Sequence, residues 1–206
     1  MNKILDLDSD FDKAVSEAAE TLNDGKLVLL PTDTVYGLAA IPTDRSAVEE
    51  IFQRKKRLSD QACAVLISEI HEVFDLAVPS SELELLSQNF WPGPMTIVGK
   101  RAQNLNYFLG GDESSIGVRC PDHTFMRSLT AITGPLAVTS ANLSGLQTPE
   151  NAKEAVSELG ENLLVVDGGP CKGKPSTVLS LLGESLDMLR EGTIGVVDLV
   201  AAVLRV

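Results

Sequence analysis

The stretch LVLLPTDTVYGLAA, residues 27–40, decides how the rest of the chain is interpreted. Leu27–Leu30 is apolar on both faces, which is typical of a strand covered by helices on both sides of a sheet. The strand runs directly into PTDT (31–34), which carries two hydroxyls and a carboxylate. Because ligands of α/β proteins gather beyond strand ends, this stretch predicts a covered sheet with a polar site at the end of one strand.

Helices and short apolar strands alternate along the rest of the chain, which predicts an α/β sheet with helices packed on it. The first helix is expected to begin at a Ser9 cap, and the last at a Thr148 cap with Pro149 in its first turn. With no composition break or linker, the pattern predicts one domain, residues 1–206. The predicted helices are Ser9–Asp24, Asp44–Arg57, Ser81–Phe90, His123–Ile132 and Pro149–Leu159, and further strands are 63–67, 95–100, 115–120, 135–140, 162–167, 176–182 and 186–191.

Composition excludes several classes of protein. The 206 residues carry 17 basic and 29 acidic side chains, a net charge of −12, which disfavours a surface devoted to nucleic acid. Three scattered cysteines indicate a reducing compartment, and two histidines are too few for a zinc site built on histidine. The N-terminal residues resemble neither a signal peptide nor a membrane anchor, so we expect a cytoplasmic protein with no membrane partner.

Polar clusters recur immediately after the predicted strands. Residues of these types also form ordinary turns, so one cluster alone does not indicate a site. Several clusters of the same kind, each at a strand end, favour a shared pocket. The clusters are PTDT (31–34), RCPDH (119–123), TSANLSG (139–145), DGGPCKGKPST (167–177) and REG (190–192).

The segment GGPCKGKPS (168–176) has the glycine spacing of a phosphate-binding P-loop. Pro175, however, stands where such a loop needs a Ser or Thr for magnesium, and the residues that follow indicate a strand. A P-loop depends on a helix N-terminus directed at phosphate, so this interpretation is rejected. We expect a glycine-rich turn with two lysines at its rim.

Two basic features allow alternative interpretations. RKKR (54–57) either complements the dipole of the helix that it ends or forms an anion site for phosphates. Arg119 closes an alternating strand, so its guanidinium either faces solvent or holds a planar anion with two hydrogen bonds.

The remaining clusters contain no nucleophilic triad, close carboxylate pair or metal-ligand spacing. TSAN (139–142) could bind a ligand or cap a turn, and FWPGPMT (90–96) is expected to be a rigid structural turn. His123 is expected to cap the following helix, and Asp122 is either an N-cap or a base. These features favour chemistry that depends on positioning and positive charge.

Taken together, the motifs resemble those of the YrdC-like family, the threonylcarbamoyl-AMP synthases of tRNA modification. The resemblance covers about residues 10–195 and is closest to the short, single-domain form. It implies a twisted sheet of parallel and antiparallel strands around a concave, positively charged cavity. The matching motifs are PTDTVYGL (31–38), K-x-R at 55 and 57, FWPGPMT (90–96), IGVRCPDH (116–123), TSANLSG (139–145), KPSTV (174–178) and LREG (189–192).

The resemblance implies that L-threonine, bicarbonate and ATP give threonylcarbamoyl-adenylate and pyrophosphate, with Mg²⁺ on the phosphates. The product would pass to a complex that modifies adenosine 37 of tRNA. Lys55, Arg57 and Arg119 are the implied catalytic residues. The implied threonine contacts are Thr32, Thr34, Arg119, Thr139 and Ser140, and the implied ATP contacts are Lys55, Arg57, Ser115, Ser140, Asn142, Ser176 and Arg190.

One loop departs from the family pattern K-G-R-P-x-x-x-P-L. The chain has Lys56 and Leu58 in place of the glycine and first proline, and Ala62–Cys63 in place of the final Pro-Leu. These changes alter the stiffness of the loop and add a charge beside the implied phosphate site. Two alternatives therefore stay open: a diverged relative with another substrate, and a module that binds double-stranded RNA or tRNA. Any weak RNA binding would be local and sensitive to salt.

Overall fold

A ten-stranded mixed sheet organises the protein in a computed structural model, which describes residues 2–56, 58 and 61–203. The strands are β1 (Lys3–Asp6), β2 (Val28–Leu30), β3 (Gly37–Ala40), β4 (Ala64–Leu66), β5 (Met95–Lys100), β6 (Ser115–Arg119), β7 (Leu136–Ser140), β8 (Leu164–Asp167), β9 (Thr177–Ser180) and β10 (Asp187–Arg190). Their order is β1-β8-β2-β3-β7-β4-β6-β5-β9-β10. The pairs β1–β8, β2–β8, β4–β6 and β5–β9 are parallel and the other neighbours antiparallel, which confirms the predicted mixed sheet.

Helices cover both faces of this sheet. They are α1 (Phe11–Asn23), α2 (Arg45–Lys55), α3 (Val73–Leu76), α4 (Ser81–Phe90), α5 (Thr124–Thr133), α6 (Ala152–Leu159) and α7 (Val196–Val203). Side chains alternate along β2: Leu29 joins one hydrophobic cluster with α2 and α4, whereas Val28 and Leu30 join another with α1 and α5. The prediction of a strand buried on both faces is therefore confirmed.

Two helix starts differ from the prediction. The cap of α1 is Asp10, whose carboxylate accepts a hydrogen bond from the Lys13 amide, and not Ser9. Helix α6 begins after Asn151, whose side chain accepts from the Glu154 amide, and not at Thr148–Pro149. In both cases a side chain with a carbonyl oxygen lies three residues before an amide that has no partner inside the helix.

The PTDT stretch connects β2 to β3, which lie antiparallel side by side. In the pairing of β3 with β7, Gly37 lies opposite Ser140. Residues 31–36 and 141–145 therefore leave the sheet at the same end of these neighbouring strands. A Cβ atom on Gly37 would lie 2.7 Å from Val138 Cγ1, which explains the need for glycine at this close approach. The sheet thus brings two distant polar clusters together.

Within the described part of the chain, no helix combines the length and the apolar character needed to cross a bilayer.

Candidate functional site

A cavity of about 390 Å³ is lined by the PTDT turn after β2, by the last residues of β6, β7 and β10, and by Ser176 just before β9. It collects eight of the eleven side chains that the sequence predicted as site residues. These are Thr32, Thr34, Ser115, Arg119, Thr139, Ser140, Ser176 and Arg190. The pocket shared by several strand ends therefore exists, whereas the ligand contacts of the individual residues stay predictions.

Thr32 folds the PTDT turn with its hydroxyl group. Its Oγ1 donates to the Val35 carbonyl at 2.7 Å and accepts from the amides of Thr34 and Val35 at 3.1 and 3.2 Å. The single Thr32 hydroxyl proton is used in this bond, so in the 3.0 Å contact between the two threonine hydroxyls Thr34 is the donor. The lone pairs of Thr34 Oγ1 are then directed at another donor.

Arg119 is that donor. Its Nη1 donates to Thr34 Oγ1 at 2.9 Å, its Nε donates to the Gly93 carbonyl at 3.0 Å, and its Nη2 forms a salt bridge with Asp33. The Arg119 side chain is only 6% exposed, so it points neither into bulk solvent nor away from the cavity that it lines. Burial lowers the pKa of Arg119 from its ordinary value, and the Asp33 charge opposes this shift.

The FWPGPMT turn is the structural element that the sequence predicted, and it also positions Arg119. The Trp91 indole donates to the Met95 carbonyl at 2.7 Å, and the Gly93 amide donates to the Cys120 carbonyl at 2.9 Å. A Cβ atom on Gly93 would lie 2.5 Å from the Phe90 carbonyl oxygen. The turn thus requires glycine where its carbonyl holds the guanidinium, a role that the sequence pattern did not reveal.

A second arginine in the cavity lining lies on the edge strand β10. Arg190 donates from Nε to the Ser176 carbonyl and from Nη2 to Ser176 Oγ, both at 3.0 Å. Thr96 Oγ1 lies 2.9 Å from the same Ser176 hydroxyl. Beside Arg190, an irregularity in the β9–β10 pairing accompanies Leu189, an exposed apolar side chain in the cavity lining.

Lys55 and Asn142 lie behind the cavity wall. Lys55 is 2% exposed, and its ammonium donates to the carbonyls of Ser140 and Asn142, while the Ser144 amide donates to the Lys55 carbonyl at 3.0 Å. Asn142 donates to the Leu143 and Leu146 carbonyls, and its buried Oδ1 has no hydrogen-bond partner among the described residues. These contacts join the end of α2 to the TSAN loop. Their predicted roles in ATP binding stay predictions.

The altered loop begins with a left-handed residue. Lys56 follows α2 with φ 49° and ψ 39°, the backbone conformation for which glycine is best suited. Arg57, the second member of the predicted basic pair, lies outside the described residues. Ala62 and Cys63, which depart from the family pattern, line the cavity.

The Arg, Lys, Asp and Glu side chains in the described cavity lining are Arg119, Arg190 and Asp112. Hydrogen bonds from Ser114 lower the pKa of Asp112, so this carboxylate is charged at neutral pH. Since Asp33 also neutralises Arg119 from behind, the expectation of a positively charged cavity stays a prediction.

The glycine-rich segment 168–176 lies directly on the PTDT turn. A Cβ atom on Gly173 would lie 2.6 Å from the Thr34 carbonyl oxygen, so the two backbones are in contact. The segment continues into strand β9 rather than a helix, which confirms that it is not a P-loop. Its two lysines, Lys172 and Lys174, are exposed.

Tyr36 is a buried residue that the sequence analysis did not select. Its hydroxyl lies 2.7 Å from the Gly169 carbonyl and 3.1 Å from Asp167 Oδ1, and it accepts from the Gly168 amide at 3.1 Å. Burial raises the pKa of Tyr36, so the phenol stays protonated. It ties the PTDT turn to the start of the glycine-rich segment.

His123 occupies the N-cap position of α5 without the side-chain hydrogen bond expected of a cap. Its buried Nδ1 has no partner within the described ranges, and burial lowers the pKa of the imidazole. Asp122 beside it is exposed. The predicted position of His123 at the start of α5 is therefore confirmed, but its side chain does not cap the helix.

Comparisons with known proteins agree with the motif order. The family model for Sua5, YciO and YrdC, described as "Telomere recombination", matches residues 20–192. A relative from Mycobacterium tuberculosis is 35% identical over 88% of this chain and 85% of its own length. The threonylcarbamoyl-AMP synthase of Bacillus subtilis is 35% identical over 89% of this chain but only 54% of its own. The crystal structure of Pyrococcus abyssi Sua5 complexed with L-threonine superposes with a TM-score of 0.90 at 30% identity, covering 98% of this chain and 61% of that one.

Proposed function

The chain belongs to the Sua5, YciO and YrdC family, and from this membership we propose that it is a threonylcarbamoyl-AMP synthase. The proposed reaction joins L-threonine, bicarbonate and ATP to give threonylcarbamoyl-adenylate and pyrophosphate. The observation that carries the proposal is Arg119, held on three sides at the wall of a cavity formed by strand ends. The likeness to a solved structure that contains threonine supports it.

Arg119 is suited to bind the carboxylate of threonine. Gly93, Thr34 and Asp33 account for three of its five N–H groups, and each terminal nitrogen keeps one further N–H. Two parallel N–H groups match the two oxygens of a carboxylate. Because the guanidinium is already held in place, binding needs little reorganisation of its side chain.

The nucleotide is assigned to the part of the cavity that Ser115, Ser140, Ser176 and Arg190 line. Attack of the threonine carbamate on the α-phosphorus requires alignment of the two substrates and neutralisation of the phosphate charge. Arg190 supplies a cation there, and Lys172 and Lys174 are exposed on the neighbouring segment. We assign the enzyme to the nucleotidyltransferases on this basis.

We propose that Mg²⁺ enters the site bound to the phosphates of ATP. Among the residues that the structure describes, no three His, Cys, Asp or Glu side chains come together as a metal site. Mg²⁺ commonly uses one or two carboxylates, water and substrate phosphates rather than a protein cage, and the single carboxylate of Asp112 in the cavity lining fits that pattern. The metal would shield the phosphate charge.

We also propose a cytoplasmic enzyme that passes its product to a complex modifying adenosine 37 of tRNA. One observation favours an alternative, a relative with a different substrate: the departing residues Ala62 and Cys63 line the cavity itself. Substitutions in a cavity wall can change which substrate is accepted.

Pyrophosphate release from ATP tests the proposal, with threonine and bicarbonate each supplied or omitted. Release should require both, and Arg119→Ala should lower kcat/KM for threonine by about 100-fold or more, since a charged, bidentate contact is removed. Arg127→Ala is the matched control, because Arg127 pairs with Glu69 and is absent from the described cavity lining. Pyrophosphate release that does not depend on threonine would favour the alternative of a relative with another substrate.

A further inference from the structure

Only one member of the Arg119–Asp33 ion pair faces the cavity. Arg119 belongs to the described cavity lining, whereas Asp33 does not. The two side chains are only 6% and 11% exposed, so both charges are largely removed from water. Asp33 therefore holds the guanidinium from behind, and a ligand in the cavity meets it from the front.

A buried arginine without an anion would strongly destabilise the fold, since desolvation of a lone charge is costly. Asp33 offsets this cost in the ligand-free protein. The same negative charge also acts on any second anion that approaches the guanidinium from the cavity. Such an anion meets a nearly neutral pair rather than a full positive charge, and its attraction is correspondingly weaker.

We propose that Asp33 is a resident counter-ion that limits the affinity of Arg119 for anions in the cavity. It makes this end of the site a poor binder of inorganic anions and of ATP phosphates. A carboxylate is then bound well only when the rest of its molecule adds contacts, as for an amino acid. The assignment of threonine as that amino acid rests on the proposed function, whereas the effect of Asp33 on anions does not.

The titratable side chains around the pair are consistent with this role. His123 interacts electrostatically with both Asp33 and Arg119, but burial lowers the pKa of its imidazole and keeps it neutral at neutral pH. Cys120 and Cys171 also lie within electrostatic range of Asp33, and burial raises the pKa of both thiols. Asp33 is thus the acidic side chain that forms the salt bridge with Arg119.

The test compares wild type with Asp33→Asn, which keeps the Oδ1 acceptor for Arg119, removes the charge and places an NH2 group where Oδ2 was. Sulfate and threonine binding are each measured by calorimetry. We expect Asp33→Asn to bind sulfate about tenfold more tightly, to bind threonine more tightly as well, and to unfold at a lower temperature. Glu50→Gln, which removes the charge of the side chain paired with Arg54 on α2 and keeps its Oε1 acceptor, is the control and should change neither affinity.

Asp33→Asn with unchanged or weaker sulfate binding, in a folded protein, would overturn the proposal. Weaker binding would instead show that Asp33 serves to orient Arg119. If Asp33→Asn does not fold, the proposal is tested with wild type and Asp33→Glu instead. Both proteins should bind sulfate much more weakly than threonine. Equal affinity for the two ligands would overturn the proposal. Wild type that binds no threonine would refute the proposed function, and the sulfate comparison of wild type with Asp33→Asn would still test the role of Asp33.

Discussion

Thr34→Val removes one hydroxyl from the centre of the site while nearly preserving the shape of the side chain. Thr34 is 2% exposed, and its Oγ1 both accepts from Arg119 Nη1 and contacts Thr32 Oγ1. A hydrogen bond to a charged donor contributes about 1.5–3 kcal/mol, and here the donor would stay buried without its partner. We expect a loss of about 2 kcal/mol in the free energy of unfolding, or about 4–8 °C in Tm for a protein of this size.

Thr34→Val should also weaken the binding of threonine, because Arg119 would lose one of its three hydrogen-bond partners. We expect KM for threonine to rise about tenfold while KM for ATP changes little, measured by pyrophosphate release. Thr130→Val is the matched control: Thr130 is equally buried, but its hydroxyl donates to the Met126 carbonyl inside α5. A Tm within a degree of wild type and an unchanged KM for threonine would refute the view that Thr34 holds Arg119.

Three further predictions concern the turns around the site. Lys56→Gly should raise the free energy of unfolding in urea by about 0.5–1 kcal/mol, since Lys56 has φ 49° and glycine removes the steric cost; a loss of stability would contradict the assigned left-handed conformation. Gly93→Ala should raise KM for threonine more than KM for ATP, because its Cβ would lie 2.5 Å from a carbonyl oxygen and displace the acceptor of Arg119; equal changes in both would exclude this role. The pKa of His123 is lowered by burial in the folded state, so the unfolded chain binds its proton first as pH falls through the ordinary histidine pKa of about 6.5. Stability measured by urea titration should therefore fall in that window, and His123→Gln should weaken the fall; an identical pH profile in the variant would contradict the prediction.

Much of the fold follows from local patterns. The buried strand β2, the amphipathic helices and most other strands have apolar periodicities that are visible in the sequence, and they occur as predicted. Strand β1 was not predicted because Lys3–Asp6 is short, has a charged residue at each end and gains its structure by pairing with β8, about 160 residues later. Strand β3 was not predicted because GLAA (37–40) has small residues with little strand propensity, and only its place between two neighbours makes it a strand.

The site was predictable to a similar extent. Side chains with recognisable chemistry, such as Arg119, were selected, and the sheet brings most of them to one cavity. The Gly93 carbonyl was missed because a main-chain group has no sequence signature. The burial of the Lys55 ammonium was missed for another reason, since it depends on contacts with residues 85 or more positions away.

The most direct test of the central claim is the identity of the product. The purified protein should be incubated with ATP, Mg²⁺, threonine and ¹³C-labelled bicarbonate, and the nucleotides analysed by mass spectrometry. The proposed function predicts an adenylate that contains threonine and carries the label in its carbamoyl group, formed by wild type and by Arg127→Ala, and by Arg119→Ala at a rate lower by about 100-fold or more. Pyrophosphate release without this labelled adenylate, or its undiminished formation by Arg119→Ala, would contradict the account.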